Sequence, residues 1–108
     1  MPPIDNGMKI INSLITFEPH KGSGPRDDYA EVTFPRPVTA VGCFLTGFEI
    51  GYARRDDDHH LGQVDIKLRA ERLDAIRVRV NAKLGLRDAS GKWDDLYEGT
   101  VYFSVVGE

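Results

Sequence analysis

The stretch Val64-Asp65-Ile66-Lys67-Leu68-Arg69-Ala70-Glu71, followed after a short polar link by Ile76-Arg77-Val78-Arg79-Val80-Asn81-Ala82-Lys83-Leu84-Gly85-Leu86, decides the fold. In the first run Val64, Ile66, Leu68 and Ala70 are apolar, while Asp65, Lys67, Arg69 and Glu71 are charged. In the second run every even position from Ile76 to Leu86 is apolar, and Arg77, Arg79, Asn81, Lys83 and Gly85 fill the odd ones. Successive side chains on a strand point to opposite faces, so each run has one dry face and one wet face. Wound as a helix, the same residues would ring the axis with apolar groups instead of gathering them on one side. The link Arg72-Leu73-Asp74 is short enough to make the strands antiparallel neighbours. The pair is a β-hairpin whose core-facing side is specified along its whole length.

Working outward, the rest of the chain reads as more strands. Residues 1–7 carry two prolines and a glycine and read as a flexible lead-in, leaving 8–108 as a single domain. Residues 8–17 are rich in Ile, Leu and Phe and read as a strand, and 18–28, with two glycines and two prolines, as a loop. A short strand over 29–34 is halted by Pro35 and Pro37, which cannot donate to a sheet ladder. Residues 38–52 are strongly β-prone, with Gly42 and Gly47 as candidate bulges or bends. A charged connection over 53–61 precedes the hairpin, 88–92 reads as a turn, and 99–106 places Val101, Phe103 and Val105 on one face of a last strand. The expected fold is all-β: a six-stranded antiparallel β-sandwich, with a flattened barrel as the competing closure.

Composition narrows the function classes. The chain has 108 residues, enough for one modest core. Its 14 Lys and Arg against 17 Asp and Glu leave a net charge of −3, which argues against a dedicated nucleic-acid partner. No apolar run reaches membrane-spanning length, so no membrane partner is expected. The first residues lack a basic segment followed by an apolar one, so no signal peptide is read. The default expectation is a cytoplasmic protein, or one released without a signal. Cys43 is the single cysteine, which leaves no intrachain disulfide and no cysteine-based zinc site. In its apolar surroundings it reads as a small packing hydrophobe.

Candidate chemistry is sparse. Asp56-Asp57-Asp58-His59-His60 offers five potential metal ligands, but neighbours on extended chain point apart, and a solvated charged loop explains them. The run from Asp88 to Asp95 resembles a calcium loop only superficially, since its glycine and its twelfth position (Gly99) fall in the wrong places. No nucleophile elbow, catalytic triad order or phosphate-cradling glycine loop is present, so no catalytic residue, metal or cofactor is assigned and the chain reads as a non-enzyme. The more informative residue is Trp93, the single tryptophan, set among Asp94, Asp95 and Tyr97. An aromatic ring beside carboxylates suits sugar recognition, where the ring takes the apolar face of a hexose and the acids take its hydroxyls. A tryptophan packed on the sheet edge is the plainer alternative. The charged face of the hairpin is explained by cross-strand ion pairs, and its long aliphatic stems could also pack on a second subunit.

Several short stretches carry a family likeness. Val32-Thr33-Phe34-Pro35-Arg36-Pro37-Val38 and Leu45-Thr46-Gly47-Phe48-Glu49-Ile50 resemble the segment leading into the third strand of H-type lectin-like domains and the end of that strand. Trp93-Asp94-Asp95-Leu96-Tyr97 and Val101-Tyr102-Phe103 resemble their tryptophan–tyrosine segment and last strand. The resemblance implies a six-stranded sandwich that binds a carbohydrate between subunits of a homo-oligomer, a trimer or a pair of trimers. It implies sugar contacts from Ser23, Gly24, Asp27 and Asp28 in the loop before the second strand, and from Trp93, Asp94 and Tyr97. The arginine that the family carries at the start of its fourth strand has no counterpart here, because Gly62 and Gln63 follow Leu61. The alternative expectation is an assembly domain of the same fold, as in a phage tail or toxin complex, with no small-molecule ligand.

Overall fold

A computed structural model of the chain describes residues 8–21, 25–52, 61–88 and 96–108. Six strands appear: β1 (Lys9–Lys21), β2 (Arg26–Thr33), β3 (Val41–Tyr52), β4 (Leu61–Arg72), β5 (Arg77–Asp88) and β6 (Leu96–Gly107). They form two three-stranded antiparallel sheets, ordered β1-β6-β3 and β2-β5-β4, and no helix occurs among the described residues. Two separate sheets, rather than one closed barrel, face each other across a common core.

The hairpin pairs as its alternation requires, with Val64 opposite Leu86, Ile66 opposite Leu84, Leu68 opposite Ala82 and Ala70 opposite Val80. The two strands nevertheless bury unequally. Central β5 sinks Val78, Val80, Ala82, Leu84 and Leu86 almost completely, whereas the apolar row of edge strand β4 is only partly covered. In the other sheet β6 is central, and Tyr97, Val101, Phe103 and Val105 supply the facing half of the core. At roughly 1.5–3 kcal/mol for each fully buried large apolar side chain, these two rows dominate the folding energy. Gly99 lies among them because a side chain there would strike Ile50 and come within 2.8 Å of the Glu49 carbonyl.

Each end of the core is closed differently. At one end Phe34 and Val38 are buried, anchored by Phe34 N–H donating to the Ile76 carbonyl and Val38 N–H to the Ala75 carbonyl, both at 2.8 Å. Gly107 gives them room, since a methyl group there would lie 2.8 Å from Val38 and 2.9 Å from Phe34. At the other end the Arg26 guanidinium lies 4.6 Å from the Tyr97 ring centre and 5.6 Å from that of Phe17. It donates to the carbonyls of Glu18 at 2.7 Å and Tyr97 at 2.9 Å.

Several boundaries differ from expectation. The loop expected over 18–28 is much shorter: β1 runs on to Lys21 and β2 begins at Arg26. Pro19 is tolerated because β1 is an edge strand and its pairing with β6 slips between Phe17 and His20, where no ladder bond is required of it. A bulge does mark Gly47, but Gly42 stays in register opposite Val106. Ile76 belongs to the hairpin turn and is exposed, and residues 38–40 precede β3. The last strand starts at Leu96 instead of Gly99. The expected lead-in over 1–7 lies outside the described residues.

Candidate functional site

The outer face of the β2-β5-β4 sheet collects polar and aromatic side chains in rows across three strands. Asp27, Lys83 and Lys67 are register partners in one row, Tyr29, Asn81 and Arg69 in the next, and Glu31, Arg79 and Glu71 in the third. Directly opposed residues on one face hold their Cβ atoms about 4.5–5.5 Å apart, so each row is a set of touching neighbours. Between the first two rows runs a shallow groove of about 370 Å³, lined by Asp27, Lys67, Leu68, Arg69, Asn81 and Lys83. Lys83 Nζ lies 4.0 Å from Asp27, and Lys67 Nζ 4.0 Å from Asp65. Asp27 against Lys67, Arg69 and Lys83, with Asp65 beside Lys67, leaves one net positive charge at the groove.

Beside the groove stands Tyr29, a residue that remains 55% exposed. The Arg79 guanidinium sits 4.5 Å from the ring centre and is itself held by Glu31 at 3.2 Å. The ring is thus propped from one side by a cation that an acid holds in place, and its remaining surface faces solvent. Such a platform, with an amide (Asn81), a carboxylate (Asp27) and cations around it, can stack on a ligand's apolar face and bond to its polar edge.

Of the expected site residues, the structure places three. Asp27 lines the groove. Asp28, the next residue on the strand, falls in the opposite phase of β2, is exposed, and accepts the Tyr29 N–H at 2.7 Å. Alternation therefore separates two carboxylates that the sequence reading grouped together. Tyr97 needs correction as a contact residue: it is wholly buried, its ring lies under Arg26, and its hydroxyl donates to the Leu84 carbonyl at 3.2 Å, tying one sheet to the other. Ser23, Gly24, Trp93 and Asp94 lie outside the described residues, as do Asp56-Asp57-Asp58-His59-His60. The strands flanking them are informative all the same. Strands β1, β3 and β5 end, and β2, β4 and β6 begin, at one end of the sandwich, the end toward which the Asp27–Lys83–Lys67 row lies.

Sequence reasoning missed Tyr29 and Asn81. The signal was available in the phase of β2, where Ala30 and Val32 face the core and so turn Asp27, Tyr29 and Glu31 outward. A second groove, of about 570 Å³, crosses the far sheet near Thr16, Glu18, Glu49, Glu98 and Thr100. Its carboxylates are not gathered closely enough for an ion, and no group of three or more His, Cys, Asp or Glu among the described residues could hold a metal. Cys43 is half-buried, and burial pushes its thiol pKa up, away from the reactive thiolate.

Set against family models, characterised proteins and solved structures, the chain matches none of them.

Proposed function

We propose that this chain is a non-catalytic carbohydrate-binding module, a sandwich of the H-type lectin-like kind, whose sugar contacts include the groove on the outer face of β2-β5-β4. The observation that carries the reading is Tyr29, a half-exposed ring propped by Arg79 in the row next to Asp27 and opposite Asn81. Ring stacking and hydrogen bonds to a carboxylate and an amide are the interactions a saccharide can use, and bonds to charged acceptors are the stronger kind. The H-type lectin likeness assigns Ser23, Gly24, Trp93 and Asp94 to the same sugar site. The surplus of cations favours an acidic saccharide, one bearing a carboxylate or sulfate, over a neutral hexose.

Each such contact is weak, and a single site is expected to bind with a Kd in the millimolar to high micromolar range, about −4 to −6 kcal/mol. The test is a broad glycan array followed by titration of the strongest ligand. Binding should favour acidic glycans and weaken as salt rises toward about 0.5 M. Tyr29→Ala and Asp27→Ala should each weaken it about tenfold, near 1.4 kcal/mol. An array without hits, or unchanged affinity in both variants, would leave the second reading, an assembly domain without a small-molecule ligand. That reading is favoured by the apolar outer face of the other sheet.

A further inference from the structure

The charges around the groove on β2-β5-β4 are unevenly placed. Its β2 end carries Asp27, and its β4 end carries Lys67 and Arg69, all three exposed. The two lysines each have an acid at hand, Lys83 at 4.0 Å from Asp27 and Lys67 at 4.0 Å from Asp65. Arg69 differs: among the described residues no carboxylate is ion-paired with it. Glu71, two residues on, stands opposite Arg79 in the third row, outside the groove. The lysines and their aspartates cancel, so the one net positive charge at the groove is that of Arg69.

We infer, resting on the reading of this groove as a saccharide site, that Arg69 is its specificity-determining residue and that the ligand is an acidic disaccharide lying across the three strands. Its neutral ring rests on Tyr29 and its carboxylate or sulfate on Arg69. The length follows from the register. Tyr29, Asn81 and Arg69 form one row across β2, β5 and β4, so the two ends stand two interstrand spacings apart, about 10 Å. A single pyranose ring cannot reach both ends, whereas two linked rings can. Asn81, half-buried at the centre of the row, offers its amide to hydroxyls near the linkage. The direction follows from the charges. Asp27 repels an anionic group at the Tyr29 end, and a guanidinium fork donates two parallel N–H bonds to paired oxygens at the other.

The test titrates the full chain with matched pairs of disaccharides and with their component monosaccharides. One pair sets a uronic acid disaccharide against the neutral hexose disaccharide of the same linkage, and the other a sulfated disaccharide against its unsulfated form. Wild type should bind the acidic member of at least one pair about tenfold more tightly than the neutral member, and more tightly than either monosaccharide. Arg69→Gln, at an exposed position, should lower affinity for that acidic member about tenfold and so erase the preference. Tyr29→Ala should weaken both members of the pair by a similar factor. If Tyr29→Ala weakens binding but the acidic preference survives Arg69→Gln, the inference is overturned while the carbohydrate reading stands. A monosaccharide bound as tightly as the disaccharide also overturns it. Absence of binding by wild type to every member of the panel overturns both.

Discussion

At the scale of single residues, the sharpest contrast lies between Val78 and Arg79, neighbours on β5 that face opposite ways. Val78 is completely buried. A carboxylate in its place would be desolvated without a partner, a cost of several kcal/mol against a total stability of about 5–15. Val78→Asp should therefore abolish cooperative unfolding. Arg79 is half exposed, paired with Glu31 and laid on Tyr29. Exposed ion pairs contribute at most about 1 kcal/mol, so Arg79→Ala should shift a denaturant midpoint only slightly. A tolerated Val78→Asp would invert the assignment of the faces. The same contrast shows what was legible in the sequence at this scale. Unbroken alternation named the buried residues of β5 correctly, because the period of a strand leaves no freedom in which face a side chain takes. It could not show that Tyr97 is a core residue, because its burial depends on Arg26 and Leu84, which are 71 and 13 residues away.

At the scale of elements, the hairpin turn is held by one carboxylate. Asp74 accepts from the N–H groups of Ile76 at 3.0 Å and Arg77 at 2.8 Å, and its second oxygen takes Arg77 Nε at 2.6 Å. The side-chain bond from Arg77, and then the two backbone donors, hold its pKa at about 2. The ordinary carboxylate value is about 3.9. A carboxyl with a depressed folded pKa contributes stability that is present above its unfolded value and lost as pH falls through the folded one. Asp74→Asn should consequently lower the urea midpoint relative to wild type at about pH 5, and the gap should close as pH falls toward about 2. A gap of constant size would mean that Asp74 does not hold the turn by its charge. The link was legible as short and polar, but its capping bonds were not. The strands on either side of residues 22–24 were read too short for a physical reason: proline and glycine normally end strands, yet Pro19 sits where an edge strand slips register and asks no hydrogen bond of it.

At the scale of the whole molecule, the two outer faces differ in character. The β2-β5-β4 face is charged and grooved, with Tyr29 on its edge strand β2, and the β1-β6-β3 face bears exposed Ile10, Leu14 and Phe44 between Glu108 at one end and Glu49 and Glu98 at the other. Six strands in so short a chain pointed to two packed sheets or a flattened barrel, and both the choice between them and the character of each outer face depended on which strands share a sheet. That pairing is long-range and is not written in any local pattern. The central claim is that the groove beside Tyr29 receives saccharide, and backbone amide NMR mapping during titration with the strongest acidic glycan tests it most directly. Perturbations should cluster on Asp27, Tyr29, Lys67, Arg69, Asn81 and Lys83, with the amides of Ile10, Leu14 and Phe44 unmoved. Shifts confined to the β1-β6-β3 sheet, or none at saturating glycan, would contradict it.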